Sequence, residues 1–305
     1  MLVACVISHG AEAWLYQLQN PVPVDIVKAG FRHVIMDYSS DGSGAGEFSK
    51  SAIDRIKAAG IVPISYFSIG EAEDYRFYWK PEWKKTPPAW LGRENPDWKG
   101  NYEVRYWNLD WRDSVLKPYL QKIVAAGFAG VYLDIVDGFE YWGDEDSYKT
   151  GREMRRVDDP KDEAEAAARM VTLLEWIKQT GTQLNKGQPF LVIAQNGERL
   201  LTFKDSKRFL AAITGLGVES LWYEKKKRLP AKQTDERLAL LRSAFKAGKT
   251  VVATDYVDDG KGMTGDNVTR IRDFLALCGK EGFDHYVART NQALDGINKI
   301  TGVQP

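Results

Sequence analysis

The sequence predicts an α/β protein, a single (β/α)8 barrel with long loops after strands three and four. Three observations carry that expectation. Short β-rich apolar runs alternate with helical patterns from end to end, there are eight such runs, and glycine often closes the helical pattern just before the next run. A doubly wound open sheet is the competing arrangement of the same units. No linker or low-complexity segment divides the 305 residues, so 1–305 is expected to form one barrel domain.

The first run, LVACVIS (2–8), is apolar and short enough for a strand. A helical pattern over 22–29 ends at Gly30 and leads into FRHVIMDY (31–38); a second, over 49–59, ends at Gly60 before IVPISYFSI (61–69). The long stretch 71–110 then interrupts the alternation. A helix at 111–126 ends at Gly127 before GVYLDIV (130–136), and a second long loop occupies 137–161. The helix at 162–180 stops at Gly181, followed by PFLVIAQ (189–195), a helix at 203–211 and ITGLGVESLW (213–222). A helix at 232–247 ends at Gly248 before TVVATDY (250–256), and one at 267–279 precedes GFDHYVA (282–288). Both long loops follow the C-terminal end of a strand, the end where a barrel carries its active site.

Composition removes several classes. The 42 Lys and Arg balance 42 Asp and Glu, which gives no basic excess for nucleic acid. KKKR at 225–228, the one dense basic run, reads as a solvated segment. No apolar run approaches the roughly 20 residues that span a bilayer. The chain enters its first apolar run at Leu2 with no basic n-region, so it is expected to be cytoplasmic or numbered from beyond a removed leader. Cys5 and Cys278 lie in apolar stretches and are expected as buried free thiols. His9, His33 and His285 lack metal-ligand spacing, so neither a zinc site nor a Ser-His-Asp triad is expected. No metal or cofactor is called for, and the chain is expected to act as a monomer.

Chemistry is sought at the strand ends. These present Ser8, Asp37 with Tyr38, Ser68 with Glu71, Asp134 with Asp137, Gln195 with Asn196, Glu219, and Asp255. Alternation along the fourth run puts Leu133 and Ile135 on one face and Tyr132, Asp134 and Val136 on the other. The aliphatic pair suits the helices, so Asp134 points into the barrel. Gly215 and Gly217 share the parity of Glu219 and leave it room inside. Two inward carboxylates, with neither a Schiff-base lysine nor an oxyanion site in view, suit glycoside hydrolysis: one protonates the leaving oxygen, the other is nucleophile or base. Asp134 and Glu219 are the catalytic candidates, with retention favoured, Asp134 as nucleophile and Glu219 as acid/base. Asp137 is expected to bind substrate or cap its loop.

Six of the ten tryptophans fall within 79–111 (Trp79, Trp83, Trp90, Trp98, Trp107 and Trp111), joined by Tyr75, Tyr78, Tyr102 and Tyr106. Flat rings with polar edges stack on pyranose faces, although most of these should pack the loop, leaving two or three for ligand. Glu71, Glu73, Asp74, Asp137, Glu140, Asp144, Glu145, Asp258 and Asp259 could form an acidic rim attracting a cationic glycan, unless Arg76, Lys80, Lys84 and Lys85 neutralise it. The expected substrate-binding set is Asp37, Tyr38, Glu71, Tyr75, Trp107, Asp137, Trp142, Asn196, Trp222 and Asp255.

WLYQLQN (14–20), YFSIGEAEDYRFYW (66–79), NPDWKGNYEVRYWNLDW (95–111) and GVYLDIVDGFEYW (130–142) closely resemble the bacterial and archaeal branch related to the endo-α-1,4-polygalactosaminidases, through nearly the whole chain. The resemblance implies a (β/α)8 fold, α-1,4-linked galactosamine-containing polysaccharide as substrate class, endo action and no metal. It implies an aspartate after strand four and a glutamate after strand six as the catalytic pair. Asp134 matches the first by motif, and Glu219, in GVESLWY, the second by position. It also implies an extracellular or cell-envelope location. A label linking relatives to cysteinyl-tRNA synthetase finds no matching nucleotide-binding motif, zinc set or basic face here. The alternatives are a glycosidase acting on α-glucans or N-acetylgalactosamine oligosaccharides, and a catalytically silent glycan-binding barrel.

Overall fold

A computed structural model describes residues 11–149 and 153–305. Eight parallel strands run in chain order around the sheet: β1 (Leu15–Gln17), β2 (His33–Met36), β3 (Val62–Ser68), β4 (Gly130–Asp134), β5 (Leu191–Gln195), β6 (Gly215–Glu219), β7 (Thr250–Asp258) and β8 (Asp284–Arg289). The ring closes where Ala13 bridges His285 in parallel, with the Trp14 and His285 amides donating across the seam at 2.8 and 2.9 Å. This is the α/β barrel expected, and the open doubly wound sheet is excluded by that closure.

One strand was misplaced. The run 2–8, with Cys5, Ser8 and His9, lies outside the described residues, and the first barrel strand is LYQ at 15–17. Three residues are too few for an alternation pattern to stand out, which hid it.

Seven helices cover the strands: α1 (Pro23–Ala29), α2 (Lys50–Ala58), α3 (Lys117–Ala126), α4 (Glu163–Leu184), α5 (Ser206–Ala212), α6 (Ala231–Lys246) and α7 (Gly265–Glu281). A short turn of α-helix (Leu109–Trp111) and a π-helical stretch (Arg112–Leu116) lead into α3. Ser49 and Asp162 cap α2 and α4 by accepting the amides of Ala52 and Glu165. The predicted stop at Gly181 is corrected: α4 runs on to Leu184, and Gly181 is small because the Phe190 ring lies where its Cβ would be, at 2.4 Å.

No eighth helix follows β8 among the described residues. Instead the C-terminal segment lies against β8: the Gln304 side chain accepts from the Val287 amide at 3.1 Å and donates to the Val287 carbonyl at 3.0 Å. Leu294 O accepts from the amides of Leu18 and Gln19.

The loop after β3 is not irregular throughout. It forms a three-stranded antiparallel sheet in the order Glu71–Glu73, Asn101–Val104, Leu91–Glu94. Its aromatics make the small core expected of them: Trp79 stacks on Tyr102 at 4.8 Å, Trp83 meets Trp90 at 5.0 Å, and Trp90 meets Trp111 at 4.7 Å. Trp98 and Tyr75 are the exceptions, 64% and 47% exposed. Cys278 is a buried free thiol. No described helix is long and apolar enough to cross a membrane.

Candidate active site

The inward face of this barrel is aromatic. Tyr132 of β4 packs on Tyr16 of β1 with ring centroids 5.3 Å apart, and both are buried. Gly217 on β6 is the matching hollow: a Cβ there would lie 2.1 Å from the Tyr132 hydroxyl oxygen. The room that Gly217 leaves is therefore filled by Tyr132, and Glu219 stands one inward step above it. A tyrosine floor differs from the aliphatic layers usual in such barrels, and it places hydroxyl groups beneath the mouth.

On that floor sit the two carboxylates. Asp134 ends β4, in register with Ser68 of β3; its Oδ2 accepts from the Tyr66 hydroxyl at 2.6 Å and its Oδ1 from the Ile135 amide at 2.9 Å. Glu219 ends β6; its Oε2 accepts from Gln195 Nε2 at 2.5 Å and its Oε1 from the Tyr256 hydroxyl. The Tyr16 hydroxyl donates to Gln195 Oε1 at 3.0 Å, which fixes the amide with its NH2 toward Glu219. Both acids thus accept from neutral donors, and among the described residues neither forms an ion pair. Burial pushes Glu219 up to about 7; the hydrogen bonds from Tyr256 and Gln195 oppose the rise, and the charge of Asp134 adds to it. Burial also raises Asp134, against the bonds from Tyr66 and Ile135.

The three strand ends share a backbone device. Ile135, Asn196 and Ser220 immediately follow Asp134, Gln195 and Glu219, and have φ of 57°, 52° and 49°. Left-handed backbone is unfavourable for a β-branched residue, so the turn at Ile135 stores strain beside a carboxylate. Gly70 makes it feasible, since a Cβ there would lie 2.4 Å from the Ile135 carbonyl oxygen.

The remaining predicted residues divide. Asp137 begins the loop after β4 and stays partly open; burial first, then the charges of Asp134 and Glu140, push it up to about 8. Tyr75 is half exposed and donates to Glu73 at 2.5 Å. Asp37 is buried and pairs with Arg76 at 2.7 Å, and Glu73 takes the same guanidinium at 2.6 Å. Glu71 is buried between the side chains of Asn95 and Asn101 at 2.7 and 3.0 Å.

Several have their polar groups or ring faces taken up within the protein. Asp255 is fully buried and accepts the amides of Leu221, Trp222 and Tyr223 at 2.8–2.9 Å, fixing the turn that follows Glu219. Trp222 packs on Phe274, Trp142 lies against Arg105 and Trp107, and Tyr38 against Tyr119; all three are buried, which leaves no open ring face. Asn196 accepts the Glu219 amide at 3.1 Å, so it holds the backbone of that residue. Trp107 faces a cleft between α3 and α4 on the outside of the barrel.

Sequence reasoning missed Tyr16, Tyr66, Gln195 and Tyr256. Parity held the signal. Gln195 and Tyr256, not their neighbours Asn196 and Asp255, have side chains that reach the Glu219 carboxylate. Five of the nine acids of the rim are ion-paired: Glu73 with Arg76, Asp74 with Lys84, Glu140 with Arg199, Glu145 with Lys149 and Asp259 with Arg270. No described group of residues could hold a metal ion.

Paired inward carboxylates at the C-terminal end of a (β/α)8 barrel are the layout that glycoside hydrolases use. Residues 6–303 match the model of Glycoside-hydrolase family GH114, and the chain belongs to that family. It is 41% identical to an uncharacterised protein of Methanocaldococcus jannaschii over 286 residues, 93% of this chain and 78% of the relative. It is 40% identical to an uncharacterised protein of Thermotoga maritima, over 96% of this chain and 85% of the other. Two solved structures share the fold at 16% identity. Aspergillus fumigatus Ega3, in complex with galactosamine, superposes with a TM-score of 0.65 over 98% of each chain. The glycoside hydrolase domain of PelA from Pseudomonas aeruginosa gives 0.66 over 93% of this chain and 96% of that one.

Proposed function

We propose that this chain is an endo-acting glycoside hydrolase that cleaves α-1,4-linked galactosamine or N-acetylgalactosamine polysaccharide by a two-carboxylate mechanism, outside the cell or at its envelope. The carrying observation is the pair Asp134 and Glu219, whose carboxylates are held by tyrosine hydroxyls, an amide and a backbone N–H, neither of them ion-paired among the described residues. Glu219, lifted to about 7, keeps a proton to give near neutral pH. It donates that proton to the glycosidic oxygen while an Asp134 oxygen bonds to the anomeric carbon and the C–O bond breaks. Water then attacks the anomeric carbon, gives its proton to Glu219 and releases Asp134. Asp137, protonated at neutral pH, can donate to a sugar hydroxyl, and Tyr75 offers an exposed ring to a pyranose face. Galactosamine bound to Ega3 supports the amino-sugar substrate, as does the motif resemblance.

The test is product release from α-1,4-linked galactosamine polymers, fully acetylated and partly deacetylated, by wild type and Glu219→Gln in parallel. Oligosaccharides from the wild type alone, retaining the α-configuration by NMR, are expected. Absence of products from both polymers rejects the substrate, and inverted products reject Asp134 as nucleophile.

A further inference from the structure

The cleft that receives Trp107 is a cavity of about 430 Å³ between the start of α3 and the outer face of α4, within the size range of small-molecule sites. Its walls are Trp107, Trp176, Tyr106 and Leu173, with Leu109 at the rim 62% exposed. Each indole is backed by a guanidinium: Arg169 lies 5.2 Å from the Trp107 ring centre and Arg112 5.5 Å from that of Trp176. Arg208 is the third cation of the lining and Glu165 the one acid, so the lining carries three positive charges and one negative. Arg112 pairs with Asp113, Arg208 with Glu175 and Asp205, and Arg169 with the lining's own Glu165; the Asp113 and Glu175 side chains are 55% and 38% exposed, that of Asp205 15%. Such pairs are worth little in water and exchange readily for a ligand carboxylate. The barrel mouth has the opposite sign, with Asp134, Glu219 and Asp137.

We infer that this outer cleft is a second, non-catalytic binding site for an acidic oligosaccharide, one whose pyranose rings carry carboxylates. The indoles offer apolar faces for the C–H side of a ring, and the guanidiniums take its carboxylates in two-pronged bonds. The Glu165 carboxylate accepts from Arg169 and the Lys161 amide, and the Thr172 hydroxyl from Arg208; their remaining lone pairs are acceptors for ring hydroxyls. A plain aromatic acid would fill the apolar walls and leave those acceptors unused. The chain would then hold an acidic polymer on its flank while the mouth faces a neutral or cationic one.

The experiment is calorimetric titration of the full chain with an α-1,4-linked galacturonate oligomer, its neutral galactose counterpart and benzoate. It uses wild type, Arg112→Gln, Trp176→Phe, Trp176→Ala and Glu219→Gln. The uronate oligomer is expected to bind wild type and Glu219→Gln equally, with affinity falling as salt rises. Arg112→Gln and Trp176→Ala should weaken it tenfold or more, and Trp176→Phe less. No binding at millimolar oligomer, equal binding of the neutral oligomer or of benzoate, or loss in Glu219→Gln alone each overturns the inference. Because binding is read in a variant without its catalytic glutamate, failure of the hydrolytic reading leaves this result intact.

Discussion

Two sets of carboxylates in this barrel, one buried and one partly buried, differ in their surroundings in one respect. Asp37 and Glu73 share the buried guanidinium of Arg76, and Asp159 takes that of Arg105 at 2.8 Å. Asp134 and Glu219 see only tyrosine hydroxyls, an amide and a backbone N–H. Burial lifts Asp37 to about 6 and Glu219 to about 7, but only at Asp37 does a cation oppose the rise. An acid beside a fixed cation spends its hydrogen bonds on holding that cation, which suits scaffolding. An acid held by groups that tolerate both states can pass a proton. The contrast separates structural from chemical acids where acid content alone does not.

The largest effect expected of this contrast is on turnover. Glu219→Gln and Asp134→Asn should each lower kcat by about 10³-fold or more without lowering the melting temperature, as removal of an acid–base or nucleophilic group does. Loss of folding along with activity would put both acids in the structural set. On the other side, Arg76→Met leaves Asp37 and Glu73 buried without their cation and should cost about 3–5 kcal/mol in urea titration. A loss under 1 kcal/mol would erase the distinction.

The pH dependence of stability sharpens it. Glu219 binds its proton more tightly when folded than when unfolded, so between about 4.5 and 7 the native state holds more protons and stability falls as pH rises. Glu219→Gln removes that penalty and should gain on the order of 2 kcal/mol at pH 8 over wild type, and nothing below pH 4. Thermal melts at the two pH values check this. Tyr256→Phe deletes a bond that favours the charged form, so the alkaline limb of activity, lost as Glu219 deprotonates, should move up by about one unit or less. The smallest effect is expected at Ser220, whose left-handed backbone a glycine adopts freely: Ser220→Gly should change stability by less than about 1 kcal/mol, read by melting temperature.

Much of the barrel was legible because its signals are periodic. Seven of the eight runs and all seven helices overlap the positions apolar spacing gives them, with α4 running past its expected stop at Gly181. The exceptions are physical: Leu15–Gln17 is too short to show a period, and the strands of the Glu71–Glu73 sheet, EAE, LGRE and NYEV, are short and rich in glutamate, which is depleted in strands. Within the site, strand parity brings Asp134 inward, as its apolar neighbours foretold. On β5 and β7 the same parity turns Gln195 and Tyr256 toward Glu219, while the polar neighbours Asn196 and Asp255 carry an equally strong strand-end signal in the sequence. The packing tryptophans could not be told from sugar platforms, because burial of Trp142 and Trp222 depends on partners distant in sequence, such as Arg105 and Phe274.

The seam between β8 and β1 has a consequence for motion. Among the described residues the backbone pairing across it is confined to His285, with the Asp284 carboxylate accepting from the Glu12 amide and the Trp14 indole, and further along β8 the Gln304 side chain takes over, its amide presenting one donor and one acceptor to Val287 as a neighbouring peptide would. A wall closed by a side chain opens more cheaply than one closed by a strand. Hydrogen exchange at the Val287 amide should therefore outpace that of amides within the paired strands, marking the line along which this barrel breathes.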